Sequence, residues 1–187
     1  MKKVVILAWL MVSTFSFAQE TKKESKWAIG AGVNFIDNTS SGDNEYFNFS
    51  NWNATLGFSK LSVQYFYNTN LSFSSEFTMN RLDKDVKQNE QTIDTNLSYF
   101  GFDLNARYNI AGLMKLPSKF VVEPILGVGN AWTSGISNQS FNTGISLGYQ
   151  ITEKYGVRVQ TLGKFAAEQN TVGNNMIQHS LELYFKL

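Results

Sequence analysis

The sequence predicts an all-β fold: an eight-stranded antiparallel up-and-down transmembrane β-barrel. Three observations predict it. Eight segments alternate between apolar and polar residues with period 2, which places the two sets on opposite faces of a strand. The connections between these segments are alternately short and long, as in outer-membrane barrels. The 187-residue chain is rich in glycine and aromatic residues and has only two prolines.

The first residues read as an export signal. Lys2 and Lys3 precede an apolar run over 4–17, and Ser16 and Ala18 are small residues at the two positions that signal peptidase reads. This run is shorter than the roughly 20 residues of a membrane-spanning helix. We therefore predict a signal peptide over 1–18 and an outer-membrane β-barrel domain over 19–187.

Charge and cysteine content narrow the classes of function. Without the two lysines of the leader, 14 basic residues face 15 acidic ones. This near-neutral balance excludes nucleic acid as an expected partner, because phosphate binding needs a concentrated excess of Lys and Arg. The chain has no cysteine, which excludes disulfides, a lipid-modified N-terminal cysteine and thiolate metal sites.

Each segment of alternating apolar and polar residues is predicted to form one strand. The eight strands are 27–35, 61–67, 71–79, 100–108, 120–132, 141–151, 155–164 and 177–187. Short turns are predicted at 68–70, 110–118 and 152–154, and long loops at 37–58, 80–94, 134–140 and 166–175. Within the first loop, the aromatic stretch from Tyr46 to Trp52 is a possible extension of strand two. The last strand needs a neighbour on each side, and in a closed barrel strand one supplies the second.

Strand five contains an irregularity at Pro124. Proline cannot donate a hydrogen bond to a ladder, and a closed barrel has no free edge to place it on. We expect either a bulge at this point or a strand that begins late.

The composition of the two faces distinguishes a membrane barrel from a soluble carrier barrel, which would enclose its apolar face around a ligand. Large aromatics cluster near the ends of the apolar face, as interfacial girdles do. They are Trp27, Tyr67, Tyr108, Trp132, Tyr155 and Phe185. The opposite face mixes glycines with charges of both signs and is predicted to face inward. Its charged residues are Glu76, Asp103, Arg107, Glu123, Arg158, Lys164, Glu182 and Lys186.

An interior as narrow as that of eight strands is filled by side chains. The inward charges should therefore meet in pairs, with Arg107 and Arg158 as hubs because a guanidinium bridges several carboxylates. The glycine pairs Gly30/Gly32 and Gly127/Gly129 mark thin interior positions rather than a phosphate cradle.

Four short stretches, 26–34, 59–63, 123–129 and 178–181, resemble the N-terminal barrel of the outer membrane protein A family. The resemblance implies a location in the cell outer membrane, contact with outer-membrane lipid and lipopolysaccharide, and insertion by the outer-membrane assembly machinery. We expect a monomer. The chain ends in Leu187 where such proteins commonly end in Phe. We expect no C-terminal domain that grips peptidoglycan, so that tethering role is not carried over.

The sequence offers few residues for chemistry. His179, the single histidine, is predicted to face outward near the outer end of strand eight, but Ser180 points inward, and a nucleophile must share hydrogen-bond reach with its base. Asp83 and Asp85 flank Lys84 without a calcium-loop glycine, so solvated charge is expected. We predict no catalytic, cofactor or metal residues and a non-enzymatic structural or surface-interaction role. Two alternatives stay open: a lipid A-modifying enzyme using His179, and a narrow porin-like channel.

Overall fold

The computed structural model describes residues 26–37, 49, 52–55, 57–84, 87–88, 91–167 and 175–187. The predicted signal peptide lies outside these residues and stays a prediction. Eight long strands form the barrel. They are β1 Trp27–Asp37, β2 Lys60–Phe66, β3 Leu71–Leu82, β4 Leu97–Tyr108, β5 Phe120–Thr133, β6 Ile136–Gln150, β7 Tyr155–Ala166 and β8 Met176–Lys186. Among the described residues, no helix is long and apolar enough to cross a membrane.

The sheet closes on itself. Each strand pairs antiparallel with the next in the chain, and β1 also pairs with β8 from Ala28↔Lys186 to Asp37↔Ile177. β1 is therefore the second neighbour of β8, as predicted for a closed barrel. The predicted closed, eight-stranded, up-and-down barrel is confirmed.

The two faces of each strand differ in burial as the period-2 pattern predicts. On β4, Phe102 and Leu104 are exposed on the outer face, while Asp103, Asn105 and Arg107 are buried inside. The aromatic residues predicted near the strand ends also face outward. An apolar exterior around a polar interior is the arrangement that hydrocarbon solvent favours.

Several strands are longer than predicted at the end that carries the long connections, which we call the outer end. β3 continues to Leu82 and β4 begins at Leu97, so both strands extend beyond the apolar alternation. Between them, the two-residue strands Lys87–Gln88 and Gln91–Thr92 pair with each other. The prediction of a structureless loop over 80–94 is therefore wrong at its start and at its centre.

The predicted loop over 134–140 is also wrong. β5 and β6 form one hairpin joined by only Ser134 and Gly135, with Thr133 paired to Ile136. Both turn residues have positive φ, 48° and 88°. This left-handed conformation matches the twist of a two-residue hairpin turn. Polar residues on a strand that extends past the apolar band resemble a loop in sequence, which explains the error.

Pro124 produces no bulge against β6, since the pairing with that strand runs in unbroken register from Phe120↔Tyr149. Pairing with β4 begins at Arg107↔Ile125, directly after the proline. The Val122 carbonyl oxygen accepts a hydrogen bond from the Ile110 N–H at 2.8 Å, so the backbone polar groups of Val122 face the β4 side. Pro124, two residues further on, faces the same side, and the N–H that it lacks would point to β4 just before the β4–β5 pairing begins. The expected late start therefore applies to the pairing with β4 and not to the pairing with β6.

The first long connection returns to the barrel wall. The two-residue strand Asn53–Ala54 pairs with Ile36 and Phe35 of β1. The stretch from Tyr46 to Trp52, expected to extend strand two, lies outside the described residues except for Phe49 and Trp52.

A small apolar cluster closes the outer end of the barrel interior. It consists of Ile36, Leu82, Tyr99, Ala131 and Met176, with Ile93 and Leu97 packed against it. Each barrel member of the cluster shares the inward parity of its strand. Non-polar side chains therefore separate the charged interior from the outer loops.

Candidate functional site

Among the described residues, eight charged side chains are buried in the barrel interior and form what we call the interior charge cluster. Four are acidic and four are basic: Glu76, Asp103, Glu123 and Glu182 with Lys60, Arg107, Arg158 and Lys164. Their contacts join all four acids to basic partners. Buried charges are tolerated only when paired and hydrogen-bonded, and the equal numbers leave this cluster neutral.

Arg107 is one hub of this cluster. Its Nη2 contacts Glu76, and its Nη1 lies 3.3 Å from Glu123 Oε2. The remaining donors are also used, because Nε donates to Ser74 Oγ at 2.9 Å and Nη1 to Ser146 Oγ at 3.2 Å. A planar guanidinium with five N–H donors can satisfy this many acceptors at once. The predicted hub role of Arg107 is confirmed.

Arg158 is the second hub and lies nearer the short-turn end. Its Nη2 donates to Glu182 Oε1 at 2.8 Å, while Nη1 donates to Gln64 Oε1 at 2.8 Å and lies 3.5 Å from Glu123 Oε2. The Tyr184 ring lies beneath the guanidinium carbon at 5.1 Å. Glu123 thus bridges the two arginines and joins them into one network.

Lys60 corrects the sequence-based set of inward charges. Its side chain is 0% exposed, and its Nζ lies 2.8 Å from Glu76 Oε2, 3.3 Å from Glu182 Oε2 and 3.1 Å from Ser180 Oγ. Lys186, predicted as the fourth inward base, is only half-buried and lies over the Phe66 ring at 5.5 Å. Among the buried, inward-facing charges of the described residues four acids face four bases, because Lys60 is buried, whereas Lys186 shares the inward parity of Glu182 but lies half-buried at the short-turn end.

A second group of polar residues lies just below the apolar cluster. Lys164 Nζ is 2.8 Å from Asp103 Oδ1 and donates to the Tyr99 hydroxyl at 3.2 Å. Asn142 donates to the same Asp103 oxygen at 2.8 Å. This group ties β4, β6 and β7 together across the interior.

Glycines make room for these side chains. A Cβ on Gly30 would lie 2.3 Å from Glu182 Oε1, and one on Gly129 would lie 2.0 Å from Asp103 Oδ1. A Cβ on Gly32 would meet the Leu181 carbonyl oxygen of β8 at 2.0 Å. The interpretation of these glycines as thin interior positions is confirmed.

Asp83 belongs to an exposed pair rather than to an acidic cluster. Arg81 Nε lies 2.6 Å from Asp83 Oδ1, and Asp85 lies outside the described residues. Within the described part of the chain, no group of three or more His, Asp or Glu side chains could hold a metal ion.

His179 lies on the outer face of β8, as predicted, but it is covered. Its exposed fraction is 8%. The Trp52 ring stacks on the imidazole with centroids 4.3 Å apart and planes 13° apart, and Trp52 also contacts Phe35 at 5.9 Å. His179 Nδ1 is 3.0 Å from Thr161 Oγ1 on β7. The imidazole is therefore not open to the headgroup region, because a loop residue covers it.

Ser180 points inward, as predicted, where its hydroxyl accepts from Lys60 Nζ. Three contributors escaped the sequence-based prediction: Lys60, Thr161 and Trp52. Lys60 shares the parity of Ser62 and Gln64, so the signal for it is present at the start of its strand. Thr161 shares the parity of Val157 and Val159. Nothing in the sequence places Trp52 against His179.

The fold matches solved structures despite low sequence identity. No protein-family model matches the sequence, and no curated protein matches it. Neisserial surface protein A is 18% identical with a TM-score of 0.57, covering 87% of this chain and 98% of the other. The N-terminal barrel domain of Pseudomonas aeruginosa OprF is 11% identical with a TM-score of 0.53, covering 88% and 98%. The Yersinia pestis outer membrane protein Ail in a bilayer nanodisc is 13% identical with a TM-score of 0.52, covering 88% and 100%.

Three observations define the class of fold: the sheet is closed, its outer face is apolar around a polar interior, and it matches these solved structures. The chain has the fold of the small eight-stranded β-barrels of bacterial outer membranes. At these identities the likeness establishes the fold alone, and a specific role has to be argued from this chain's own residues.

Proposed function

We propose that this protein is a non-enzymatic barrel of the cell outer membrane whose interior is plugged by its own side chains and whose role is structural or surface-interacting. The interior charge cluster is the observation that carries the proposal. Its eight members are almost completely buried and form ion pairs across the lumen from six strands. Such an interior supports rigidity, and it leaves the outer loops as the part available to partners.

Planar-bilayer recording tests the plugged interior. The purified, refolded protein should show no stable open level, because moving an ion through the lumen requires separating buried, paired charges beneath an apolar cluster. A large steady conductance from the unmodified protein would reverse the proposal in favour of the narrow channel.

Location and partners belong to the same proposal. The apolar outer face with aromatic ends supports contact with outer-membrane lipid and lipopolysaccharide, and β8 supplies an aromatic terminal strand for the assembly machinery. The protein should fractionate with outer membranes and migrate differently on gels before and after heating. Recovery as a soluble periplasmic monomer would contradict it.

The resemblance to the outer membrane protein A family stays part of the proposal. Two of the resembling stretches, 26–34 and 123–129, lie on β1 and β5 and contribute Gly30, Gly129 and Glu123 to the interior. Glu123 contacts Arg107, and the two glycines leave room for the side chains of Glu182 and Asp103, which supports the resemblance. The peptidoglycan-tethering role of that family is not proposed.

One observation favours the alternative enzyme. Thr161 supplies what Ser180 does not, a hydroxyl within hydrogen-bond reach of His179 on the same outward face. Against it, the Trp52 ring lies flat on the imidazole and leaves it almost no exposed surface. We propose instead that His179 serves as the surface on which the Trp52 ring packs. Mass spectrometry of lipid A should give the same acyl profile for cells carrying the parent, His179→Ala and Thr161→Ala; loss of a deacylated species in both variants would promote the enzyme.

A further inference from the structure

The outer face near His179 is arranged as a seat for an aromatic side chain. Thr161, His179 and Phe35 are cross-strand partners in one row on β7, β8 and β1. All three side chains share the outward parity of their strands. The row therefore lies on the lipid-facing wall of the barrel, not in its interior.

The apolar band continues directly below this row. Leu181 and Leu183, two and four residues further along β8, are exposed on the same face. On β7, Phe165 lies on the other side of the row, closer to the outer end, and is also exposed. The row is thus flanked by lipid-facing side chains on both sides along the strand direction.

Two aromatic residues of the first outer connection lie over this row. Trp52 stacks on His179 at 4.3 Å and contacts Phe35 at 5.9 Å. The ring centroid of Phe49 lies 4.5 Å from that of Trp52, and the Phe49 residue is 75% exposed. Because Trp52 contacts outward-facing side chains, it lies outside the wall at their depth, and Phe49 packs against it there.

From this placement we infer that Phe49 and Trp52 form an interfacial anchor on the barrel wall, with their exposed surfaces in the acyl-chain boundary of the outer leaflet. The inference rests on the proposed membrane location. Trp and Phe suit this depth because their rings are large and apolar.

The same placement accounts for the polar pair beneath Trp52. A histidine and a threonine facing hydrocarbon would each carry the cost of an unsatisfied polar group. Here His179 Nδ1 and Thr161 Oγ1 satisfy one another, and the Trp52 ring shields them from lipid. The pair thus provides a flat platform for the anchor rather than a gap in the apolar band.

Depth-dependent fluorescence quenching tests the anchor. The variant Trp27→Phe/Trp132→Phe retains Trp52 as the single tryptophan of the mature chain, and Trp52→Phe/Trp132→Phe retains Trp27 as a matched control in the girdle at the short-turn end. Both would be refolded into phosphatidylcholine vesicles brominated at a shallow or a deep acyl position. We expect Trp52 emission to be lost as strongly as that of Trp27, with shallow bromines more effective than deep ones.

The control separates the two possible failures. Quenching of Trp27 without quenching of Trp52, together with free access of iodide to Trp52, would overturn the anchor while leaving the membrane location intact. No quenching of either tryptophan would contradict the membrane location itself.

A second variant keeps the test independent of the tryptophan replacements. The chain has no cysteine, so Phe49→Cys offers one site for a nitroxide label. We expect the label to be more accessible to oxygen, which partitions into lipid, than to a water-soluble nickel chelate. The reverse order, with a label at Leu183→Cys remaining lipid-accessible, would overturn the anchor.

Discussion

Removing Lys60 should destabilise the barrel more than removing the half-buried Lys186. In Lys60→Met the ammonium that contacts Glu76 and Glu182 is replaced by a neutral side chain of similar length. The interior then holds four acids and three bases. Breaking a buried pair by removing one partner typically costs about 3–5 kcal/mol.

The magnitude should fall at the lower end of that range. Glu76 keeps its contact with Arg107, and Glu182 keeps its 2.8 Å contact with Arg158, so neither carboxylate is left without a cation. We therefore expect a loss of about 3 kcal/mol in the free energy of unfolding. Urea titration of the protein folded in lipid vesicles, read by gel mobility without heating, measures this free energy.

Two further variants decide whether the reasoning is right. Lys186→Met is the matched control, because Lys186 is half-buried above the Phe66 ring, and its loss should cost about 1 kcal/mol or less. Lys60→Met/Glu182→Gln restores neutrality, since Glu76, Glu123 and Asp103 keep Arg107, Arg158 and Lys164. This double variant should be more stable than Lys60→Met. Equal losses for the two lysines, or no recovery in the double variant, would refute the interior placement of Lys60.

Three other predictions follow from the same structure. Leu183→Arg, on the exposed outer face, should cost about 2–4 kcal/mol if it lies near the bilayer midplane, measured by the same urea titration; an unchanged midpoint would place this residue away from lipid. Gly32→Ala should cost about 1–3 kcal/mol because the new methyl meets the β8 backbone, whereas Gly112→Ala, with open space around it, serves as the near-neutral control, and equal unfolding midpoints would contradict the close approach. Arg158→Ala should lower the heating temperature at which the folded band is lost, because Glu182 and Glu123 lose a partner, and bilayer recordings of this variant should show leak events absent from the parent; a variant as heat-resistant as the parent would remove Arg158 from its hub role.

The sequence by itself determines which side of the barrel wall most strand residues face. Side-chain direction in a strand alternates residue by residue, so it is a local property that composition reveals directly. For this reason the alternation alone places Arg107, Arg158, Ser180 and His179 on their correct faces. The same local argument places Lys60 inside once strand two is extended by one residue.

The ends of the strands needed the tertiary structure. Where β6 continues beyond the apolar band, the residues at 137–140 are polar on both faces, and the alternation that marks a strand disappears. Ser134 and Gly135 close this hairpin because both adopt positive φ, and a serine in that conformation is not a strong signal in sequence. Pairing with the neighbouring strand, rather than local preference, sets these boundaries.

Contacts between distant residues were decided only by the closed barrel. Lys60 meets Glu182 from strands separated by most of the chain, because β1 pairs with both β2 and β8 and brings them within side-chain reach across the interior. Trp52 covers His179 for a related reason. It directly precedes Asn53–Ala54, which pair with β1, and β1 pairs on its other edge with the strand that carries the histidine. The alternation gives each side chain its face, but the register of the closed sheet determines its neighbours.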